Sequence, residues 1–409
     1  MCFEHGGHMQ SNKDYIEFTE KFSAGNYHPL PVVLTRGQGI WVWDVEGKKY
    51  LDMLSGYSAL NQGHCHPRIA EAVKQQVNKL TLTSRAFYND KMASFLEKIC
   101  RLTGYEKALP MNSGAEAVET AIKVARKWGY EKKKVDENAA EIIVCENNFH
   151  GRTTTIVGFS SEKQYRDGFG PFTPGFKMIP YNDIGAFENA INDNTIGFLI
   201  EPIQGEGGVI VPEDGYLKKC AEICRQNNVL LIDDEIQTGL GRTGRLFACE
   251  YEGVRPDILI MGKALSGGYY PVSAIACDNR IMDVIRPGDH GSTFGGNPLA
   301  SVIGTAALDV IVQEKLADRA FELGNWFMDE LRKIHSPVIK GVRGKGLLIG
   351  VVLTEKARPY CEHLMELGIL AKETHEMVVR FAPPLIIKRE ELEWTLPKID
   401  EVLKTPTIA

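Results

Sequence analysis

Lys263 follows a short apolar run, residues 258–261, with Gly262 before it and Ser266, Gly267 and Gly268 just beyond. A second apolar run, residues 229–232, delivers Asp233, Asp234 and Glu235, and Gln237 comes soon after. Strands buried on both faces read as such runs, and in open parallel sheets ligands collect at the carboxyl ends of the strands. A lysine beside one strand end and an acid at the next can therefore face one ligand. The lysine serves as a covalent amine nucleophile and an aspartate as its partner across that ligand. Asp233 and Asp234 point to opposite faces of their strand, and periodicity does not choose between them.

A third feature fits the same ligand. Residues 110–128 have Val118, Ala121, Ile122, Ala125 and Trp128 on one helical face, with Asn112 or Ser113 as the cap. Ser113, Gly114 and Ala115 open this helix with a hydroxyl and small side chains, so backbone N–H groups can approach a phosphate and the helix dipole favours it. Common alternatives fail. Gly262-Lys263-Ala264 lacks the Ser/Thr follower and upstream glycine of a Walker loop, no GxGxxG follows a predicted strand, and no GxSxG elbow occurs. A lysine, an acid for a ring nitrogen and a phosphate cradle together outline pyridoxal 5′-phosphate.

The elements that must position these residues read as an α/β fold with a mainly parallel sheet. Strand-like runs at 142–145, 196–200, 229–232, 258–261 and 272–277 are separated, between the first three, by segments long enough for crossover helices at 185–191 and 216–227. Residues 40–44 and 49–52 alternate around Glu46-Gly47 as a hairpin. Helices are expected at 12–20, 68–80 and 91–102. After Pro298 the pattern changes to helices at 299–313, 317–333 and 358–367 with strands at 346–353 and 377–381, a smaller α+β body. The division expected is 1–57 as an N-terminal segment belonging to the small domain, 58–312 as the large cofactor domain, and 313–409 as the C-terminal small domain.

At 409 residues the chain is too long for one small core. A net charge of −6 argues against a nucleic-acid partner, and no apolar stretch reaches membrane-spanning length. Nine cysteines scattered through so long a chain fit reduced thiols rather than a secreted disulfide scaffold. Cys220 and Cys224, four apart, are expected to pack as small apolar residues. His64 and His66 flank Cys65 on a tight loop, where they do not readily converge on one metal ion. Without an apolar signal segment or an arginine-rich leader, the expected compartment is the cytoplasm. Residues 1–10 have no usable periodicity.

At this point the chain resembles the class III, or ω-, aminotransferases of the large pyridoxal-phosphate fold (fold type I). The resemblance rests on NSGAEA from Asn112, NFHGR from Asn148, EPIQGE from Glu201, DEIQTGLGRTG from Asp234, GKALSGG from Gly262 and GSTFGGNP from Gly291. It implies that Lys263 carries the cofactor and shuttles the proton, and it picks Asp234 for the ring nitrogen. It also implies Gln237 on the ring hydroxyl, Phe149 stacked on the ring and His150 at its edge, where relatives often have tryptophan. Ser113, Gly114 and Ala115 would hold the phosphate, with Ser292 and Thr293 reaching it from the other subunit of a homodimer. Most relatives carry a small residue where Asp233 stands.

Further motifs narrow the resemblance to members that take the terminal amine of ornithine: NYHPLP from Asn26, GYSALNQGHCHP from Gly56, TSRAFY from Thr83, RGKGL from Arg343 and RFAPP from Arg380. The implied partners are L-ornithine and 2-oxoglutarate or glutamate. Arg152 and Arg380 would bind the carboxylates of glutamate, while ornithine leaves its α-carboxylate to Arg152 and Tyr27. Glu206 would then pair with Arg380, and Tyr57 and Tyr27 would favour ornithine over 4-aminobutyrate or N-acetylornithine, the alternative substrates.

Overall fold

The computed structural model describes residues 10–404; positions 1–9, with Cys2, and positions 405–409 lie outside the described range. A seven-stranded sheet forms the centre, in the order Lys107–Met111, Ser273–Cys277, Ile258–Met261, Leu230–Asp234, Thr195–Ile200, Glu141–Cys145, Phe176–Ile179. Neighbours from Ile258–Met261 to Phe176–Ile179 pair in parallel, and Ser273–Cys277 runs against both of its neighbours. The expectation of a mainly parallel sheet agrees with this topology.

Alternation along each strand splits the interior into two layers. Ile142, Val144, Leu230, Ile232 and Ile260 pack with the buried face of the helix Gly114–Trp128. Ile143, Cys145, Leu231, Leu259 and Met261 pack on the other side, with Leu217, Cys220 and Cys224 of the helix Tyr216–Gln226. Strands covered by helices on both faces need apolar residues at every position, which is why the runs read as continuous. Asp234 shares its face with Leu230 and Ile232, so it looks toward the start of the helix Gly114–Trp128.

Two smaller sheets flank this unit. One joins Leu34–Gln38, Trp41–Asp44 and Lys49–Asp52 with the late strand Ile369–Leu370, which pairs in parallel with Leu51 and Asp52. The other is an antiparallel set from the tail: Ile339–Lys345, Leu348–Leu353, Val378–Phe381 and Lys372–Thr374. The chain's early and late segments thus share one sheet. The tail also ends in a helix, Arg389–Lys404, and the helix Asn12–Phe22 opens on a Ser11–Asp14 capping box. Among the described residues, no helix is long and apolar enough to cross a membrane, and every cysteine is free, Cys220 and Cys224 being buried in the core.

Candidate active site

Adjacent parallel strands end on one side of the sheet and deliver the chemistry there. Glu141–Cys145 leads to Phe149 and His150, and Thr195–Ile200 leads to Glu201 and then Glu206. Leu230–Asp234 ends in Asp234 and continues to Gln237, while Ile258–Met261 leads through Gly262 to Lys263. These residues, with Gly114 and Ala115, line one cavity of about 210 Å³. Lys263 adopts a left-handed backbone at φ 42°, a conformation disfavoured for a residue with a Cβ and often retained at functional sites.

Burial draws the Lys263 amine below its ordinary pKa, opposed by the charges of Glu206 and Asp234. Such a shift leaves more of the neutral, nucleophilic amine near neutral pH. Asp234 Oδ2 lies 2.7 Å from His150 Nδ1, and Asp234 Oδ1 accepts the Ile236 amide at 3.1 Å. Burial works against a charge on His150, yet the bond to Asp234 and its negative charge win and raise the imidazole's pKa. The imidazole therefore donates to Asp234 and fixes its carboxylate. Glu201 accepts the Phe149 amide at 2.9 Å, and burial pushes its pKa up to about 7.

Gln237 Nε2 donates to Glu206 Oε1 at 2.9 Å, while Gln237 Oε1 is buried without a hydrogen-bond partner. A Cβ at Gly205 would sit 1.5 Å from that oxygen, so only glycine leaves the amide its place. At the helix start, Ser113 is the N-cap of a capping box with Glu116. Its hydroxyl and its own amide both turn to Glu116, the amide at 2.6 Å from Oε2. Of the expected cradle, the amides of Gly114 and Ala115 keep their donors free at the cavity, since the first turn has no intrahelical acceptors. Ser292 Oγ accepts from Asn112 Nδ2 of the same chain at 2.9 Å, and Thr293 is exposed.

The cavity continues into neighbouring spaces through shared walls. Phe149 and Glu206 also line a cavity of about 400 Å³, and Tyr165 joins that one to a third, of about 260 Å³, lined by Tyr27 and Arg152. Arg380 is almost fully buried and its Nη1 lies 2.7 Å from Glu206 Oε1. Burial alone would raise the Glu206 pKa, but Arg380, Lys263 and Gln237 hold it down at about 2. The Arg380 guanidinium also lies 5.1 Å over the Tyr57 ring. Tyr57 sits in a left-handed run, with φ of 46°, 59°, 59° and 70° from Ser55 to Ser58. Arg242, wholly buried, braces that run: its Nη2 donates to Ser55 Oγ at 3.0 Å and to Asn61 Oδ1 at 2.6 Å, while Nη1 donates to carbonyls of Leu347 and Pro383.

A family model for class-III aminotransferases matches residues 22–403. The chain is 60% identical to a protein of Brevibacillus brevis named ornithine aminotransferase, over 97% of this chain and 99% of that one. A Bacillus subtilis protein of the same name is 58% identical, over 97% and 99%. The chain belongs to the class-III aminotransferases. Among solved structures, the ornithine aminotransferase from Toxoplasma gondii, with partial occupancy of pyridoxal phosphate at its active site, superposes with a TM-score of 0.96 at 47% identity, covering 97% of this chain and 95% of that one. An acetylornithine aminotransferase from Elizabethkingia anophelis gives 0.88 at 53% identity, covering 96% and 98%.

The aminotransferase site fits pyridoxal 5′-phosphate on this chain's own geometry. The unpartnered Gln237 Oε1, the free amides of Gly114 and Ala115, and Asp234 at a neighbouring strand end supply complementary groups around Lys263. A larger cavity of about 870 Å³ lies elsewhere, against the edge strand Lys107–Met111. Its Lys107 is exposed and paired with Asp283, so it offers no buried reactive amine. His64 and His66 turn to different carboxylates, Asp52 at 2.7 Å and Glu314 at 3.1 Å.

Glu201 and Tyr165, like Arg242, were not among the sequence candidates. Glu201 was visible only inside a motif, and its burial depends on a strand end that one chain segment does not reveal. Tyr165 lies in a four-residue helix, Lys163–Arg166, with no signal of its own, and only folding brings it to Arg152.

Proposed function

We propose that the chain is an L-ornithine:2-oxoacid δ-aminotransferase. It moves the terminal amine of ornithine to 2-oxoglutarate, giving glutamate 5-semialdehyde, which cyclises to pyrroline-5-carboxylate, and glutamate. The observation that carries this reading is the Glu206–Arg380 pair at 2.7 Å. It occupies the inner arginine and leaves Arg152, which has no ion-pair partner among the described residues, for the ornithine α-carboxylate together with Tyr27. When Glu206 releases Arg380, both arginines are available to the two carboxylates of 2-oxoglutarate by bidentate pairing.

Bound pyridoxal 5′-phosphate supplies the electron-accepting ring that makes the carbon beside the substrate amine acidic. Lys263 would hold it covalently and take and return the proton at Nζ. Asp234, fixed by His150, would keep the ring nitrogen protonated, and Gln237 Oε1 would meet the ring hydroxyl. Phe149 would cover one ring face, with His150 at the ring edge beside Asp234. Gly114 and Ala115 would hold the phosphate from one side.

Ser292 and Thr293 would reach the phosphate of a second subunit in a homodimer. Support for that dimer is apolar surface: Phe87, Tyr88 and Phe294 are exposed, and Asn89 Nδ2 donates to Gly296 O at 3.1 Å, which joins the two loops that carry them. The molar mass in solution tests it. Within the expected spans 1–57 and 313–409, whose ends 1–9 and 405–409 lie outside the described residues, residues 10–57 and 313–404 would form one small domain and 58–312 the large one, as the pairing of Ile369–Leu370 with Leu51 and Asp52 supports. The proposed compartment is the cytoplasm.

The decisive experiment is spectral titration of the holoenzyme with L-ornithine, followed by specificity constants for ornithine, N-acetylornithine and 4-aminobutyrate. Loss of the cofactor's near-visible band on adding ornithine, and preference for ornithine over the other two, are expected. A preference for N-acetylornithine would replace this reading; the Elizabethkingia relative is named for acetylornithine.

A further inference from the structure

The Arg152 guanidinium lies over the ring of Tyr165. The guanidinium carbon stands 3.7 Å from the Tyr165 ring centroid, and 5.5 Å from that of Phe149. The Tyr165 and Phe149 rings are themselves 6.1 Å apart at 79°, an edge-to-face pair. Tyr165 is half-buried, between the cavity that holds Arg152 and Tyr27 and the one that holds Glu206.

Stacking suits a guanidinium because its faces are weakly hydrated while its N–H donors lie in the plane. A ring under one face leaves the in-plane fork free for a carboxylate and fixes its orientation before substrate arrives. Phe149, edge-to-face with Tyr165, also lines the Lys263 cavity, so a continuous set of contacts runs from the fork to the reacting centre. We propose that Tyr165 is a positioning and chain-length-selecting residue: its ring face holds Arg152 so that the site takes α-carboxylates a set number of methylenes from the reacting amine. This rests on the reading that Arg152 receives the substrate's far carboxylate.

The test uses holoenzyme and its Tyr165→Leu and Tyr165→Phe variants, with L-ornithine, L-lysine, L-2,4-diaminobutyrate and the carboxylate-free 1,4-diaminobutane as amines. In single-turnover reactions, Tyr165→Leu is expected to weaken ornithine binding roughly five- to thirty-fold, the span of a partly desolvated cation–π contact. The maximal rate changes little, and discrimination against the longer and shorter homologues narrows. Reaction with 1,4-diaminobutane is unaffected, and Tyr165→Phe retains most of the affinity. Equal losses on ornithine and 1,4-diaminobutane overturn the proposal, because a merely structural residue would produce them. So does a Tyr165→Phe variant as damaged as Tyr165→Leu. If the unaltered enzyme ignores ornithine, the functional reading fails. The same comparison then runs with 4-aminobutyrate, whose carboxylate also needs a fork, against 1-aminobutane.

Discussion

Glu206 Oε1 takes the Arg380 guanidinium at 2.7 Å, and the same oxygen accepts Gln237 Nε2 at 2.9 Å. One carboxylate oxygen therefore ties the inner substrate arginine to the residue proposed to touch the ring hydroxyl. Arg380 Nε and Nη2 are buried and unpartnered, so the guanidinium has donors in reserve. Arg380→Ala is expected to weaken the 2-oxoglutarate half-reaction on the order of 100-fold or more, the scale for losing a buried charge partner. The ornithine half-reaction falls far less. Single-turnover rates of each half separate the two, and equal losses would count against a switching pair.

Tyr57 presents its ring beneath Arg380 from a left-handed backbone run that Arg242 clamps through Ser55. That costly local geometry points to a side chain whose direction matters. Tyr57→Ile removes the aromatic face while leaving a bulky apolar group. It should cut the preference for ornithine over 4-aminobutyrate roughly five- to thirty-fold, judged from ratios of kcat/KM. An unchanged ratio would remove Tyr57 from substrate selection.

His150 makes the charge state behind Asp234 depend on pH. Its folded pKa is raised by Asp234, although burial opposes this. The stabilisation is then fully present below the unfolded value of about 6.5 and is lost as pH rises through the raised folded value. His150→Asn can still donate to Asp234 but cannot carry a charge. Its unfolding free energy should drop below that of the unaltered protein by about 1–3 kcal/mol at pH 6, with the gap closing at alkaline pH. Denaturant unfolding of the cofactor-free protein across that range gives the answer, and a pH-independent gap would assign the loss to packing.

The strand ends were legible because each is a short apolar run stopped by a charge, and the sheet buries both of its faces. Asp234 over Asp233 came from family resemblance, and alternation along the strand supplies the physical reason: Asp234 shares the face of Leu230 and Ile232, toward the helix start. Lys107–Met111 was hidden by Pro110, which the structure tolerates because this strand is the sheet's edge. Arg389–Lys404 was hidden by Pro397 inside the helix. The bond of His150 to Asp234 and the cation–π contact of Arg152 with Tyr165 depend on side-chain directions, which periodicity does not encode. Ser113 was expected to offer its own donors to a phosphate, yet Glu116 three residues on claims them through the capping box.

Asp233 lies on the opposite strand face, where its carboxylate, that of Glu235 and the Cys249 thiol have ligating atoms within 4.8 Å of one another, all buried. Glu235 accepts the Thr238 hydroxyl and the Cys249 amide, while Asp233 has only the weakly donating Cys249 thiol beside it. Burial first, then repulsion from Glu235 and Asp234, drives the Asp233 pKa well above the carboxylate range, and burial lifts Glu235 to about 7. Acids whose folded pKa exceeds the unfolded one favour the fold at low pH. That advantage is lost as pH rises from about 4 through the folded values. Asp233→Ala removes a buried acid whose charge is disfavoured and whose neighbour is only a thiol. It should raise the unfolding free energy by about 1–3 kcal/mol at pH 8, with the gain shrinking toward pH 5. Denaturant unfolding at the two pH values measures this. A loss of stability at both, equal in size, would mean that the side chain fills space and its ionisation costs nothing. The same variant should leave ornithine turnover largely intact, since Asp233 faces away from the Lys263 cavity that Asp234 lines.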